Sequence, residues 1–253
     1  MFSIIKFQYS RYSKIWVILI ISILSSCGSL SLLQESQTNT SQQVQIGSIG
    51  SDKDFLLQKG FNDAAIPNYS APIKLTVLNK PFNKNTYKAF TKANTLLASN
   101  ISVAYVDSIA NKPKYLRLKI ADKIEVIKAF NSKGNVDLRG YLSHNKYANV
   151  LTSISIVFNP KDFEAINKAS AVFLIENKPK TYALKLYNQN AKPENIPFTN
   201  GVVFGYNTSY CCWQENNRHQ LNIVDLVKTN NNCPNKTYRS ANRAKKKINY
   251  YKL

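Results

Sequence analysis

The tetrapeptide Asn-Lys-Pro-Lys occurs twice, at 111–114 and 177–180, each time between short runs rich in β-branched and aromatic residues. Ahead of each copy lies a helix-like block of one form, "YKAFTKAN" at 87–94 and "FEAINKAS" at 163–170. Proline lacks an amide donor and asparagine favours turns, so each copy punctuates a pair of extended segments. Two readings are open. A duplication would give two β-α-β-β units side by side, over 73–120 and 151–188. Chance recurrence in a chain rich in Lys and Asn would repeat the tetrapeptide without the symmetry. In both cases strands alternate with a few short helices, which predicts an α+β fold built on a mostly antiparallel sheet.

The strands expected are "IKLTVL" (73–78), "ISVAYVD" (101–107), "YLRLKI" (115–120), "LTSISIVF" (151–158), "SAVFLIE" (170–176) and "TYALKLY" (181–187). The helices expected span 51–59, 85–98, 122–131 and 160–169. In the first, Ser51 and Asp54 have the form of a capping box. In the second, Tyr87, Phe90 and Leu97 share one face, and in the third "SKGN" breaks the helix. After these comes a hairpin with strands near 202–213 and 220–227, and then a basic C-terminal helix.

The N-terminus has three zones. Lys6, Arg11 and Lys14 precede an apolar core, Ile15–Leu24, and Ser25 and Ser26 lead to Cys27. Ten residues rise only about 15 Å as a helix, against a hydrocarbon thickness of roughly 30 Å. A secretory signal over 1–26 fits better than a permanent span. The quartet Leu24-Ser25-Ser26-Cys27 resembles the lipobox of bacterial lipoproteins. The resemblance implies cleavage before Cys27 and attachment there of diacylglycerol and an N-acyl chain, so that the protein is held to a membrane by its acylated cysteine. Gly28 in place of an inner-membrane-retaining aspartate, and no acid before Glu35, imply the outer membrane, facing the periplasm. Residues 27–50 are rich in Ser, Gln, Thr and Gly and lack aromatics, which predicts a flexible lipidated tether before one domain over 51–253.

Beyond Cys27 three cysteines remain: Cys211, Cys212 and Cys233. An oxidising compartment favours one bridge. Neighbouring strand residues face opposite ways, so one of the two adjacent cysteines can meet Cys233. The expected pair is Cys212–Cys233, with Cys211 as the alternative partner. A zinc site from these three and His219 has uncommon spacing, and a Cys/His nucleophile pair lacks a third member. His144 is expected in a polar loop. Asp162 and Glu164 open a helix, where carboxylates favour the dipole. The chain shows no nucleophile elbow, phosphate loop or dinucleotide fingerprint, and no cofactor is expected.

The formal net charge is +20. From Leu226 to Leu253 there is no acid, and Arg239, Arg243, Lys245, Lys246 and Lys247 crowd together as a candidate anion-binding tail. These observations predict a lipid-anchored envelope protein, a non-enzymatic binding or structural module. Its partner would be anionic lipid, glycan or another polyanionic envelope component, or an envelope protein. The alternative is a periplasmic hydrolase acting on cell-wall or glycan material. Nucleic acid fits poorly, because no recognised binding module accompanies the basic tail.

Overall fold

A computed structural model describes residues 37–245, apart from 56–57 and 190, and for 53–59 and 191 it describes backbone alone. The signal, Cys27, Lys246 and Lys247 lie outside the described residues. The fold is α+β. Eleven strands among the described residues form one sheet: β1 (Thr38–Asn39), β2 (Ile49–Phe55), β3 (Gln58–Ala65), β4 (Ile73–Pro81), β5 (Lys114–Ile120), β6 (Asn149–Phe158), β7 (Ala171–Lys178), β8 (Thr181–Asn188), β9 (Ala191–Pro197), β10 (Gly201–Glu215) and β11 (Leu221–Lys228). Their order is β1-β10-β6-β5-β4-β7-β8-β9, with β11 paired to β10 and the β2–β3 hairpin joined to β6. All pairs are antiparallel.

The helices are α1 (Lys84–Leu96), α2 (Lys123–Asn131), α3 (Val136–His144), α4 (Pro160–Lys168) and the single turn α5 (Ala241–Ala244). Local chemistry starts α1, α2 and α4 close to where the sequence placed them, whereas α3 was not expected. Asn83 caps α1 reciprocally with Thr86, through hydrogen bonds of 2.9 and 2.8 Å. Asp122 caps α2, and Asn159 caps α4 ahead of Pro160.

Alternation along the strands divides the sheet into two sides. One side carries Leu75, Leu116, Leu118, Ile154, Ile156, Val172, Leu174, Leu184 and Leu186, buried beneath α2, α3 and α4. Aliphatic burial on this scale supplies most of the drive to fold. The other side carries a smaller core beneath α1, where Phe82 meets Phe90, Tyr115 and Phe204 at ring separations of 5.8, 5.0 and 5.9 Å.

Several expectations change. Residues 51–59 are not helical: β2 and β3 form a hairpin in which Ser51 faces Asn62. Tertiary pairing overrides the capping pattern, because Ile49 and Gly50 join the edge of β6. A Cβ at Gly50 would lie 2.0 Å from the Asn62 carbonyl oxygen, so the hairpin closes only around glycine.

The domain begins before residue 51. Val44, Ile46 and Ile49 are buried in the main core. Two neighbouring glutamines serve the backbone: Gln43 donates to the Phe198 carbonyl at 2.9 Å, and Gln45 accepts from the Tyr182 amide at 2.9 Å. A polar composition therefore concealed three apolar anchors within the expected tether.

The duplication is reproduced only in part. Residues 101–107 form no strand. They run as a strap along α1, with Tyr105 stacked on Tyr87 at 4.6 Å and Asn94 donating to the Ile101 carbonyl. The first Asn-Lys-Pro-Lys leads from that strap into β5, whereas the second turns the β7–β8 hairpin, with Lys180 at a φ of 58°. Nor do the units lie side by side. β6 joins β5 and β7 joins β4, so strands of the second block flank those of the first. The break after α2 is a short turn leading into α3. His144 is therefore the exposed last residue of a helix and does not sit in a loop.

Candidate anion-binding face

Cys212 and Cys233 form a disulfide, 21 residues apart in sequence. The bridge occupies two of the four ligands that a zinc site would need. Among the described residues no group of three His, Cys, Asp or Glu side chains could hold a metal. Cys211 is buried and free, and burial pushes its thiol up to about 12. A nucleophilic cysteine needs a shift in the opposite direction. Asp162 is buried and accepts from Asn159 and Asn200, and Glu164 pairs with Lys168, so both carboxylates serve α4.

The basic tail belongs to the domain more than the sequence suggests. Tyr238 exchanges backbone hydrogen bonds with Trp213 on β10. Ala241 and Ala244 are buried in the main core, and among the described residues the expected helix is the single turn α5, the rest of it lying outside them. Arg239 donates to the carbonyls of Thr229 and Asn231 and lies 4.5 Å over the Tyr210 ring. Its charge holds the loop that carries Cys233. Arg243 and Lys245 remain exposed. Beside them, Tyr141–Tyr147 and Arg239–Asn242 line an open groove of about 500 Å³.

A second cationic region was not read from the sequence. Between Asp63 and Asp122 the chain has one acid, Asp107. On α1, Lys84, Lys88 and Lys92 recur every four residues and form an exposed stripe. Like charges at this spacing repel, and Lys84 sits at the positive end of the helix dipole, with no acid in the first turn to offset it. The arrangement costs the helix stability.

The stripe lies on the side of the sheet that α1 partly covers. Cross-strand partners share a side, so the pairs Lys80–Tyr115, Leu78–Arg117, Thr76–Lys119 and Lys74–Phe173 all point that way. Lys185 pairs with Phe173, and Tyr187 with Ala171. Lys74, Thr76, Leu78 and Lys80 are exposed, and Lys119, Phe173, Lys185 and Tyr187 are half-buried. The result is an open face of lysines and two aromatic rings with no acid on it. Among the described residues none of Lys74, Lys80, Lys84, Lys88, Lys92, Lys119 and Lys185 has an ion pair.

The nearest acid is already engaged. Asp107 accepts from Tyr105 at 2.6 Å and from Lys112 at 3.1 Å. These two partners hold its carboxyl below the usual carboxylate range, and the hydrogen bond to Asp107, with a smaller part from its charge, pushes Tyr105 up to about 12. At the inner edge of the face Arg117 and Ser155 are buried and meet Gln37, a residue of the segment expected to be tether. With its amide oxygen turned to Arg117, Gln37 accepts at 3.1 and 3.2 Å. The sequence signal for this face was the long interval with a single acid; the strand register then gathers its lysines on one side.

No family model matches the chain. No curated protein matches it either. Among solved structures it has a likeness to a cryo-EM structure of the gasdermin A3 membrane pore. That likeness covers 80% of this chain and 92% of the other, at 10% identity and a TM-score of 0.30, and carries no argument about fold or function.

Proposed function

We propose that this is a lipid-anchored bacterial envelope protein, attached through acylated Cys27 to the outer membrane and facing the periplasm. Its α+β domain binds a polyanionic envelope component. The observation that carries the binding reading is the side of the sheet where α1 and the open strands present lysines with no ion pair among the described residues, and where the one acid, Asp107 on the strap, is already held by Tyr105 and Lys112. Stability alone gives no reason for this arrangement, since the α1 stripe opposes its own helix. An anionic partner supplies the missing countercharge. The exposed tail cations Arg243 and Lys245, with Lys246 and Lys247, would add to the same attraction.

The test compares the unaltered mature protein, purified in detergent, with a Lys84→Gln/Lys88→Gln/Lys92→Gln variant. Both are titrated with lipopolysaccharide, acidic polysaccharide and phosphatidylglycerol vesicles. Each lysine near an anionic surface contributes about 1 kcal/mol, so binding to the probes that engage α1 should weaken on the order of a hundredfold at low salt. The loss should shrink as salt screens the attraction. Equal binding by both proteins to every probe refutes a role for this helix. Incorporation of labelled palmitate into the Cys27→Ala protein itself, isolated from cells fed the label, would refute the anchor.

A further inference from the structure

We infer that the open face of β4, β5, β7 and β8 takes a linear acidic polysaccharide, with a sugar ring packed against the perpendicular Phe173–Tyr187 pair and the polymer's carboxylates or phosphates paired to Lys74, Lys119 and Lys185. This inference rests on the polyanion reading above and narrows it to one ligand chemistry.

The register places the parts. Lys74 on β4, Phe173 on β7 and Lys185 on β8 stand in one row across three adjacent strands. Strands lie about 4.8 Å apart, so the two lysine backbones are separated by roughly 10 Å with an aromatic ring between them. That separation is of the order of a disaccharide. Phe173 and Tyr187 meet edge to face at 5.3 Å, and the Lys185 ammonium lies 5.4 Å from the Tyr187 ring centre. Thr76 and Asn195 flank the row as hydroxyl and amide partners. A cation–ring–cation alternation fits a polymer in which saturated rings and anionic groups recur. The axial C–H bonds of a sugar meet the negative face of an aromatic ring, and the lysines meet its acid groups.

A bilayer fits this part of the surface less well. Phe173 and Tyr187 are half-buried within the sheet, whereas insertion among headgroups calls for apolar groups that protrude. The most protruding aliphatic groups of this region, Leu96 at 61% exposure and Val106 at 55%, belong to α1 and its strap, and the open strands add only Leu78 at 37%.

The experiment uses the intact acylated protein in detergent and four probes: polygalacturonate oligomers, uncharged dextran, linear polyphosphate and phosphatidylglycerol vesicles. A Phe173→Leu/Tyr187→Leu variant should lose on the order of tenfold in affinity for polygalacturonate. The loss should persist at high salt and be absent for polyphosphate and vesicles. A Lys74→Gln/Lys185→Gln variant should lose affinity for polygalacturonate and polyphosphate alike. In the unaltered protein, ring-proton resonances of Phe173 and Tyr187 should shift on saturation with polygalacturonate and not with dextran, a readout that does not depend on either variant folding. Unshifted resonances, or a leucine variant that folds and binds polygalacturonate normally, overturn the inference. Vesicle binding that follows the sheet variants and not Lys84, Lys88 and Lys92 overturns it in favour of a bilayer. If the lysine variants of both the sheet and α1 bind every probe as the unaltered protein does, the polyanion reading itself falls.

Discussion

The Arg239 segment and the α1 stripe are both strongly cationic, and they use that charge in opposite ways. Arg239 sits among backbone carbonyls and over a tyrosine ring, next to a disulfide-bearing loop. Its partners lie within the domain. Lys84, Lys88 and Lys92 have no ion pair among the described residues and repel one another along an exposed helix. Local charge density in the sequence therefore does not identify a binding surface. What identifies one is charge that the fold leaves uncompensated.

Four changes test that contrast, beginning with the largest effect. Replacing both Cys212 and Cys233 by Ser releases a loop of some 20 residues and should cost about 3 kcal/mol. For a domain of this size that lowers Tm by roughly 6–12 °C in calorimetry. A fall of less than about 2 °C would show that Arg239 and the Trp213–Tyr238 pairing hold the segment without the bridge. Next, Arg239→Ala should destabilise by about 1–2 kcal/mol, because it removes charged hydrogen bonds to two carbonyls. It should leave polyanion affinity within twofold of the parent. Lost affinity at unchanged Tm would erase the distinction between the two regions.

The third change has the opposite sign. Lys84→Gln/Lys88→Gln/Lys92→Gln should raise stability by a few tenths of a kcal/mol, since it relieves repulsion at four-residue spacing. A clear drop in the denaturant midpoint would show that the stripe supports the fold. The smallest effect concerns pH. Tyr105 and Lys112 lower the Asp107 carboxyl from its ordinary 3.8, so the stability it lends is complete above that value. It is lost as pH falls through the lowered value. Asp107→Asn should flatten that part of an acid-unfolding curve, and an unchanged curve would detach Asp107 from the strap.

Much of the architecture was legible because it rests on local patterns. The β6 strand, the aromatic face of α1 and the β10–β11 hairpin all follow from side-chain periodicity within one or two elements, and alternation also required that only one of Cys211 and Cys212 meet Cys233, which the structure shows to be Cys212. The failures share a different cause. Residues 51–59 met a helix-capping pattern, but the pairing of Ile49 and Gly50 with β6 fixed them as strand. Residues 101–107 had strand-like alternation, but Tyr105 found Tyr87 and the segment became a strap. The two Asn-Lys-Pro-Lys copies are identical in sequence and differ in role, because one follows a strap and the other joins paired strands.

The candidate site divides in the same way. The sequence alone determined that the chain is strongly basic, that one interval of it is nearly free of acids, and that Cys27 stands in a lipobox-like context. It also determined which lysines lie on one face of α1, since that requires only helical spacing. Tertiary structure decided that Lys74, Phe173 and Lys185 share a row, because strand order and register join residues about a hundred positions apart. It also decided that Arg239 is committed to the fold, because the carbonyls and ring it meets are positioned by β10 and the loop after β11. Periodicity is a property of a segment, whereas compensation of charge depends on what the rest of the chain brings within a few ångströms.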